Sequence, residues 1–201
     1  MASKILSEKN APCPYYFPEH LKKALSAIPD YPVTSIEADS GYGKTTALRE
    51  FLRNLPGNSR AVWHTCFGEP PAKTWESICR MFGEVDAEVS RQLKELYPPT
   101  METLSDIAAS VHELGCGEET FLVIDNYQLF RNTIPSRLMD AFSVHTNPHV
   151  HIVFVTQPLA ASPMSVHNPN IHRIGTKDFL FDRHSIAQYC RGAKIDISER
   201  E

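Results

Sequence analysis

The sequence predicts an α/β domain built in three layers around a mostly parallel sheet. Short β-prone or apolar runs, at Val33–Ala38, Arg60–Cys66, Thr120–Ile124 and Val150–Thr156, alternate with segments whose apolar residues recur at helical spacing. Two of these runs, TFLVI and VHIVFVT, are apolar and too short for helices, so they read as buried strands. The 201 residues suit one medium domain, long enough to bury roughly 70% of the unfolded chain's surface without staples.

Residues 1–16 lack periodicity and are expected to form an arm, leaving 17–201 as the folded unit. Pro18 to Ile28 reads as a short helix with Leu21, Leu25 and Ile28 on one face, closed by Pro29 and Pro32. A strand over Val33–Ala38 runs straight into a Gly-containing loop. Thr45 to Leu55 then turns helical, with Leu48, Phe51, Leu52 and Leu55 on one side and Pro56-Gly57-Asn58 as its stop. After the Arg60–Cys66 strand, Trp75, Ile78, Cys79 and Phe82 fall at i, i+3, i+4 and i+7 of an amphipathic helix. A more polar helix covers Ala87 to Leu96, and Pro98-Pro99 breaks the chain. Thr100 is placed to cap a helix whose inner face is Met101, Leu104, Ile107, Ala108, Val111 and Leu114, ended by Gly115 and Gly117. Beyond the Thr120–Ile124 strand, Ile134 to Phe142 reads as helix. Gln157 to Asn170, rich in Pro, Ser and Asn, is loop; Arg173–Gly175 is a last short strand, and Ser185 to Cys190 lies in a last helix.

Bulk properties narrow the function. Apolar residues make up 42% and charged residues 22%, as in ordinary globular proteins, and the formal charge is −4 with no dense Lys/Arg run. This segment is therefore not expected to contact nucleic acid itself. Five cysteines without a CxxC pair argue against a disulfide framework or zinc site. The N-terminus lacks the apolar core of a signal peptide, and no apolar run approaches the roughly 20 residues of a membrane span. A cytoplasmic setting with no membrane partner is the expectation.

The chemistry sits at the first strand-to-helix junction, where residues 38–46 read Ala-Asp-Ser-Gly-Tyr-Gly-Lys-Thr-Thr. This fits the P-loop pattern with Ala38 in place of its first Gly. Gly41 and Gly43 let the backbone turn successive N–H groups of Ser40 to Thr46 toward phosphate oxygens, and the following helix adds its positive end. Lys44 is expected at the β- and γ-phosphates, Thr45 on magnesium and Thr46 near the α-phosphate. Tyr42 projects from the loop toward either the nucleotide or a partner domain. A turn that happens to precede Lys-Thr is the bland alternative. The strand before it and the amphipathic helix after it are the context that favours phosphate binding. Phe121 to Ile124 followed by Asp125 supplies the matching acid at a strand's C-terminal end, where ligands of open α/β sheets bind. Asp125 is the second expected magnesium ligand, against the alternative of an ordinary turn aspartate.

These residues resemble the nucleotide-binding domain of the MalT-type, LuxR-family ATP-dependent transcription activators, of the STAND class of P-loop NTPases. The resemblance rests on IEADSGYGKTTALREFL (36–52), AVWHTC (61–66), FLVIDNYQLF (121–130), HIVFVT (151–156) and the segment 171–190. It implies a sheet in which one strand separates the P-loop strand from the Asp125 strand, the arrangement of the ASCE division. It implies ATP or ADP with magnesium as ligands, and Pro18 and Leu21 against the adenine. Further domains of a parent regulator are implied as partners, and DNA only through a C-terminal helix-turn-helix absent from this chain.

Two positions depart from that family. Where members carry a second acid that activates water, this chain has Asn126; where they carry an arginine sensing the γ-phosphate, it has Gln157. A neutral amide holds a water but takes no proton from it. Slow hydrolysis is the expectation, unless Glu37, Asp39, Glu69 or Arg131 substitutes. The reading is an ATP-dependent regulatory switch, set against an active ATPase or a small-molecule phosphotransferase. The Gln157–Asn170 loop lacks the Arg or Lys that a phosphotransferase lid uses. His149 and His151 share a spacing that suits chelation on a strand, but no Cys or carboxylate is expected close by to complete a site. Trp63 and Trp75 are possible base-stacking residues, with core packing favoured for Trp75 by its helical stripe.

Overall fold

The computed structural model describes residues 15–55, 57–112, 114–131, 137–158, 168–193 and 195. Five strands, β1 (Val33–Glu37), β2 (Arg60–Thr65), β3 (Thr120–Asp125), β4 (Val150–Thr156) and β5 (Ile171–Gly175), form one sheet in the order β2-β3-β4-β1-β5. Every pairing in it is parallel. Strand β4 thus lies between β1 and β3, the arrangement expected from the P-loop resemblance.

Nine helices among the described residues cover the sheet: α1 (Glu19–Ser26), α2 (Lys44–Arg53), α3 (Pro71–Gly83), α4 (Ala87–Glu95), α5 (Leu104–His112), α6 (Gln128–Arg131), α7 (Leu138–Phe142), α8 (Thr176–Phe179) and α9 (Arg183–Ala193). Strand alternation divides the core in two. Phe121, Val123, Val153 and Val155 point to the α1–α2 side, where they meet Leu21, Leu25, Ala47, Leu48 and Leu52. Leu122, Ile124, Ile152 and Phe154 point to the other side, against Trp75, Ile78, Cys79 and Phe82 of α3, Ile107 and Val111 of α5, and Phe142 of α7. All six residues of β3 and all seven of β4 are buried, which is why both read as unbroken apolar runs. Trp75 is core, as its stripe implied: it is 1% exposed and its indole N–H donates to the Leu93 carbonyl at 2.9 Å.

Two expected elements differ. Helix α5 starts at Leu104 rather than directly after Thr100, because Thr100 and Thr103 close a turn on themselves. The Thr100 N–H donates to Thr103 Oγ1 at 2.8 Å, and the Thr103 N–H to Thr100 Oγ1 at 3.3 Å. The first helical carbonyl is then that of Thr103, which accepts from the Ile107 N–H at 2.9 Å. Met101 is consequently 60% exposed instead of joining the inner face. In the helix expected over Ile134–Phe142, Leu138–Phe142 is α7, while residues 132–136 lie outside the described residues. The expected arm falls largely on residues 1–14, also outside them. Among the described residues, no helix is long and apolar enough to cross a membrane, and the four described cysteines are free.

One carboxylate ties the α3–α5 layer together. Asp86 Oδ1 caps α4 by accepting from the N–H groups of Glu88 at 2.9 Å and Val89 at 3.2 Å. Its Oδ2 accepts from the Gly115 N–H, 29 residues on, at 3.0 Å. Asp86→Ala removes both, so a loss of about 1–3 kcal/mol of unfolding free energy is expected. Urea denaturation measures it, with Asp86→Asn, which keeps the cap, losing less; a change under about 0.5 kcal/mol would mean that the cap does not matter here.

Candidate nucleotide site

The site grows out of the first βα junction. Strand β1 ends at Glu37, and Ala38 follows it with 0% exposure, packed into the α1–α2 side of the core. The Ala38 N–H still donates to the Thr156 carbonyl of β4 at 3.4 Å. Its methyl group thus fills a buried position, which accounts for alanine where the P-loop pattern has glycine. Gly41 at φ +87° and Gly43 at φ +79° take left-handed backbone conformations. A Cβ at either would meet nothing within 4 Å, so the demand for glycine is one of backbone conformation rather than space. Gly43 is the N-terminal boundary of α2, and its carbonyl accepts the first helical hydrogen bond from the Ala47 N–H at 2.8 Å.

Lys44 folds over its own loop. Its ammonium donates to the carbonyls of Ala38 at 2.6 Å and Asp39 at 2.8 Å. Burial lowers its pKa, and the charges of Asp125 and Asp39 oppose that shift. Thr45 Oγ1 lies 3.2 Å from each carboxylate oxygen of Asp125, a residue 80 positions away in sequence. Asp125 is 5% exposed at the end of β3. The structure therefore brings together a hydroxyl, a carboxylate and an ammonium at the N-terminus of α2. The first two are hard oxygen donors of the kind magnesium takes, at a separation that fits their sharing one ion. Asp125→Asn is expected to remove most of the magnesium-dependent gain in ATP affinity, about tenfold or more, while affinity in EDTA stays largely unchanged. The substitution keeps an oxygen that can accept from the Asn126 N–H, now 2.9 Å from Asp125 Oδ1. Equal losses with magnesium and with EDTA in calorimetric titrations would remove Asp125 from the metal site.

The other expected site residues sit as follows. Ser40 and Tyr42 are exposed, Tyr42 at 38%, and Thr46 is half-buried in the first turn of α2. Pro18 is buried at the start of α1, and Leu21 is 2% exposed, its side chain in the core beside Ala47 and Leu48. Asn126 is half-buried in a left-handed conformation at φ 55°. Gln157 is half-buried just past β4. Its N–H donates to Gln128 Oε1 of α6 at 3.3 Å. Gln128 escaped the sequence reading because its role depends on α6 crossing the end of β4, which no local pattern announces.

Of the alternatives considered for a charged group, Glu69 is tied to its own loop. Glu69 accepts from the Phe67 N–H at 2.6 Å and lies 3.7 Å from His64 Nε2. Asp39 is exposed, and the Arg131 side chain lies outside the described residues. Burial, with Glu69 and Asp125 nearby, pushes the Cys66 thiol up to about 12, so it is no nucleophile at neutral pH. Trp63 is half-buried with the Arg49 guanidinium 4.4 Å above its ring. The His149–His151 pair needs a correction: a carboxylate does lie close. Glu119 is 3.5 Å from His149 Nδ1 and 2.8 Å from His151 Nε2, and His149 precedes β4 instead of sitting in it. Sequence distance hid this neighbour, because parallel pairing sets the start of β3 beside the start of β4. Among the described residues, no group of three His, Cys, Asp or Glu is arranged to hold a metal.

A family model for the AAA domain matches residues 31–164, which takes in the P-loop, β3 with Asp125, and β4. The chain belongs to the AAA domain family. No curated protein matches it. Among solved structures, this AAA domain is similar to a Walker-type ATPase of Pyrococcus abyssi at 16% identity and a TM-score of 0.45, covering 97% of this chain and 63% of that one. It is also similar to C. elegans PCH-2, at 10% identity and a TM-score of 0.35, over 90% of this chain and 48% of that one. The chain thus spans less than two thirds of the length of either.

Proposed function

We propose that this AAA domain is the ATP–magnesium switch of a MalT-like, LuxR-family regulator, binding nucleotide firmly and hydrolysing it slowly. The observation that carries the binding half is the convergence of Lys44, Thr45 and Asp125 from two elements at the end of the sheet. Bound magnesium supplies charge neutralisation between the phosphates. Thr45 and Asp125 hold it, Lys44 leaves the Ala38 and Asp39 carbonyls for the phosphate oxygens, and the backbone between Gly41 and Thr46 encloses the chain of phosphates. The regulatory half is supported by the sequence resemblance and by the amides of Asn126 and Gln157 at the ends of β3 and β4, where hydrolysis would use charge. A ligand that stays bound maintains a population shift that neighbouring domains read.

The alternatives, an active ATPase and a small-molecule phosphotransferase, make opposite demands on turnover. ADP release is measured with the domain alone and with candidate hydroxyl and carboxylate acceptors. The expected result is turnover slower than about one per minute that no acceptor accelerates, near the slow end for unassisted P-loop proteins. Several turnovers per second without an acceptor would make it an active ATPase, and acceptor-dependent ADP would make it a phosphotransferase.

A further inference from the structure

The tip of β4 is held from both sides. Strand β4 lies between β1 and β3, so its end stands between the loop that carries Lys44 and the strand that carries Asp125. The Ala38 N–H donates to the Thr156 carbonyl at 3.4 Å, and the Tyr127 N–H to the Val155 carbonyl at 3.0 Å. The second bond marks the chain leaving β3 and crossing onto β4, through a turn in which Asn126 takes φ 55°. Tyr127 and Phe130 anchor the crossing. They are 1% and 2% exposed, and the Tyr127 ring lies 4.7 Å from that of Phe154. Gln128, half-buried between these anchors, is thereby set at the end of β4. One contact orients its amide. The Gln157 N–H donates to Gln128 Oε1 at 3.3 Å. A backbone N–H only donates, so the oxygen faces it and the NH2 group is turned away. Those two N–H donors have no acceptor among the described residues.

We propose that Gln128 reads the γ-phosphate, a role that rests on the ATP-binding reading above: its Nε2–H donates to a terminal phosphate oxygen, and the site so tells a nucleoside triphosphate from a diphosphate. Lys44, Thr45 and Asp125 draw the terminal phosphate between β1 and β3, which is where β4 ends. Lys44 cannot make the distinction by itself, because its ammonium reaches the β-phosphate as well as the γ-phosphate. A donor already oriented through Oε1 needs little further ordering when the phosphate arrives. Hydrogen bonds to a charged acceptor are the strong ones, so a neutral amide suffices for the reading. Donation at Nε2 and acceptance at Oε1 polarise each other. A γ-phosphate therefore tightens the Gln128–Gln157 contact and with it the tip of β4. A diphosphate ends short of the amide and leaves that contact as it is.

The test measures calorimetric affinity of the whole chain for ADP and for the β,γ-imido analogue of ATP, which does not turn over, both with magnesium. Gln128→Leu removes donor and acceptor at nearly constant volume. It is expected to weaken the triphosphate about tenfold or more and to change ADP affinity by less than about twofold. Gln128→Glu keeps an oxygen for the Gln157 N–H and sets a negative charge where the donors were. It should lose at least as much triphosphate affinity, again with ADP spared, and it carries the test if Gln128→Leu does not fold. Damage to the fold would lower both affinities together, so the ratio of the two is the deciding readout. A wild type that binds both nucleotides, with variants that lose neither or lose both alike, overturns the role of Gln128 alone. A wild type that binds neither nucleotide overturns the ATP-binding reading and this role with it.

Discussion

Lys44→Ala is expected to weaken ATP–magnesium binding by about 10- to 100-fold, the equivalent of the roughly 1.5–3 kcal/mol carried by charge-assisted hydrogen bonds. The ammonium donates to two carbonyls of its own loop. Those are neutral acceptors, so exchanging them for phosphate oxygens gains charge pairing that alanine cannot supply. The ammonium also lies within the field of Asp125, and its removal leaves the carboxylate and the phosphates facing each other without that counter-charge. Folding should persist, because Lys44 is only half-buried and α2 is anchored by Ala47, Leu48 and Leu52. The measurement is calorimetric affinity, paired with the melting-temperature rise that a native-state ligand produces. Equal affinities in wild type and variant, with the variant folded, would sink the P-loop assignment.

The candidate site is legible in the sequence where the local backbone chemistry is distinctive. Gly41 and Gly43 announce left-handed turns, and Lys44 follows them into a helix whose apolar spacing is visible in the sequence. Asp125 was legible for a different reason. Four apolar residues ending in an acid describe a strand that is buried to its tip, and burial there is what aims the carboxylate at Thr45. What stayed hidden depends on three-dimensional crossings. The Gln128–Gln157 contact and the approach of Glu119 to His151 join residues through strand order, which spacing does not encode. The short helices α6 and α8, of four residues each, are too brief to show a period. Met101 misled because an apolar residue after a threonine fits a capped helix, and only the reciprocal Thr100–Thr103 bonds reveal the turn.

Asn126→Asp is expected to raise single-turnover hydrolysis of ATP at least tenfold, toward the roughly 10²–10⁴ that a placed general base contributes. The backbone favours the exchange. Asn126 sits at φ 55°, a conformation that aspartate tolerates nearly as well as asparagine, so the variant should fold with the turn intact. Its N–H bond to Asp125 Oδ1, at 2.9 Å, involves the main chain and survives. The new carboxylate would stand beside Asp125, and two adjacent carboxylates raise the pKa of one of them, which brings a base nearer the operating pH. Binding should not tighten, because a second negative charge gives nothing to the phosphates. The gain is therefore one of rate alone, with affinity equal or slightly weaker. It should also stop short of a fast ATPase, since Gln157 still offers no charge to the γ-phosphoryl group. Single-turnover hydrolysis of labelled ATP by wild type and Asn126→Asp, with affinities measured on the same preparations, decides the matter. A variant that binds ATP and gains nothing in rate would show that the residue after Asp125 does not limit the chemistry.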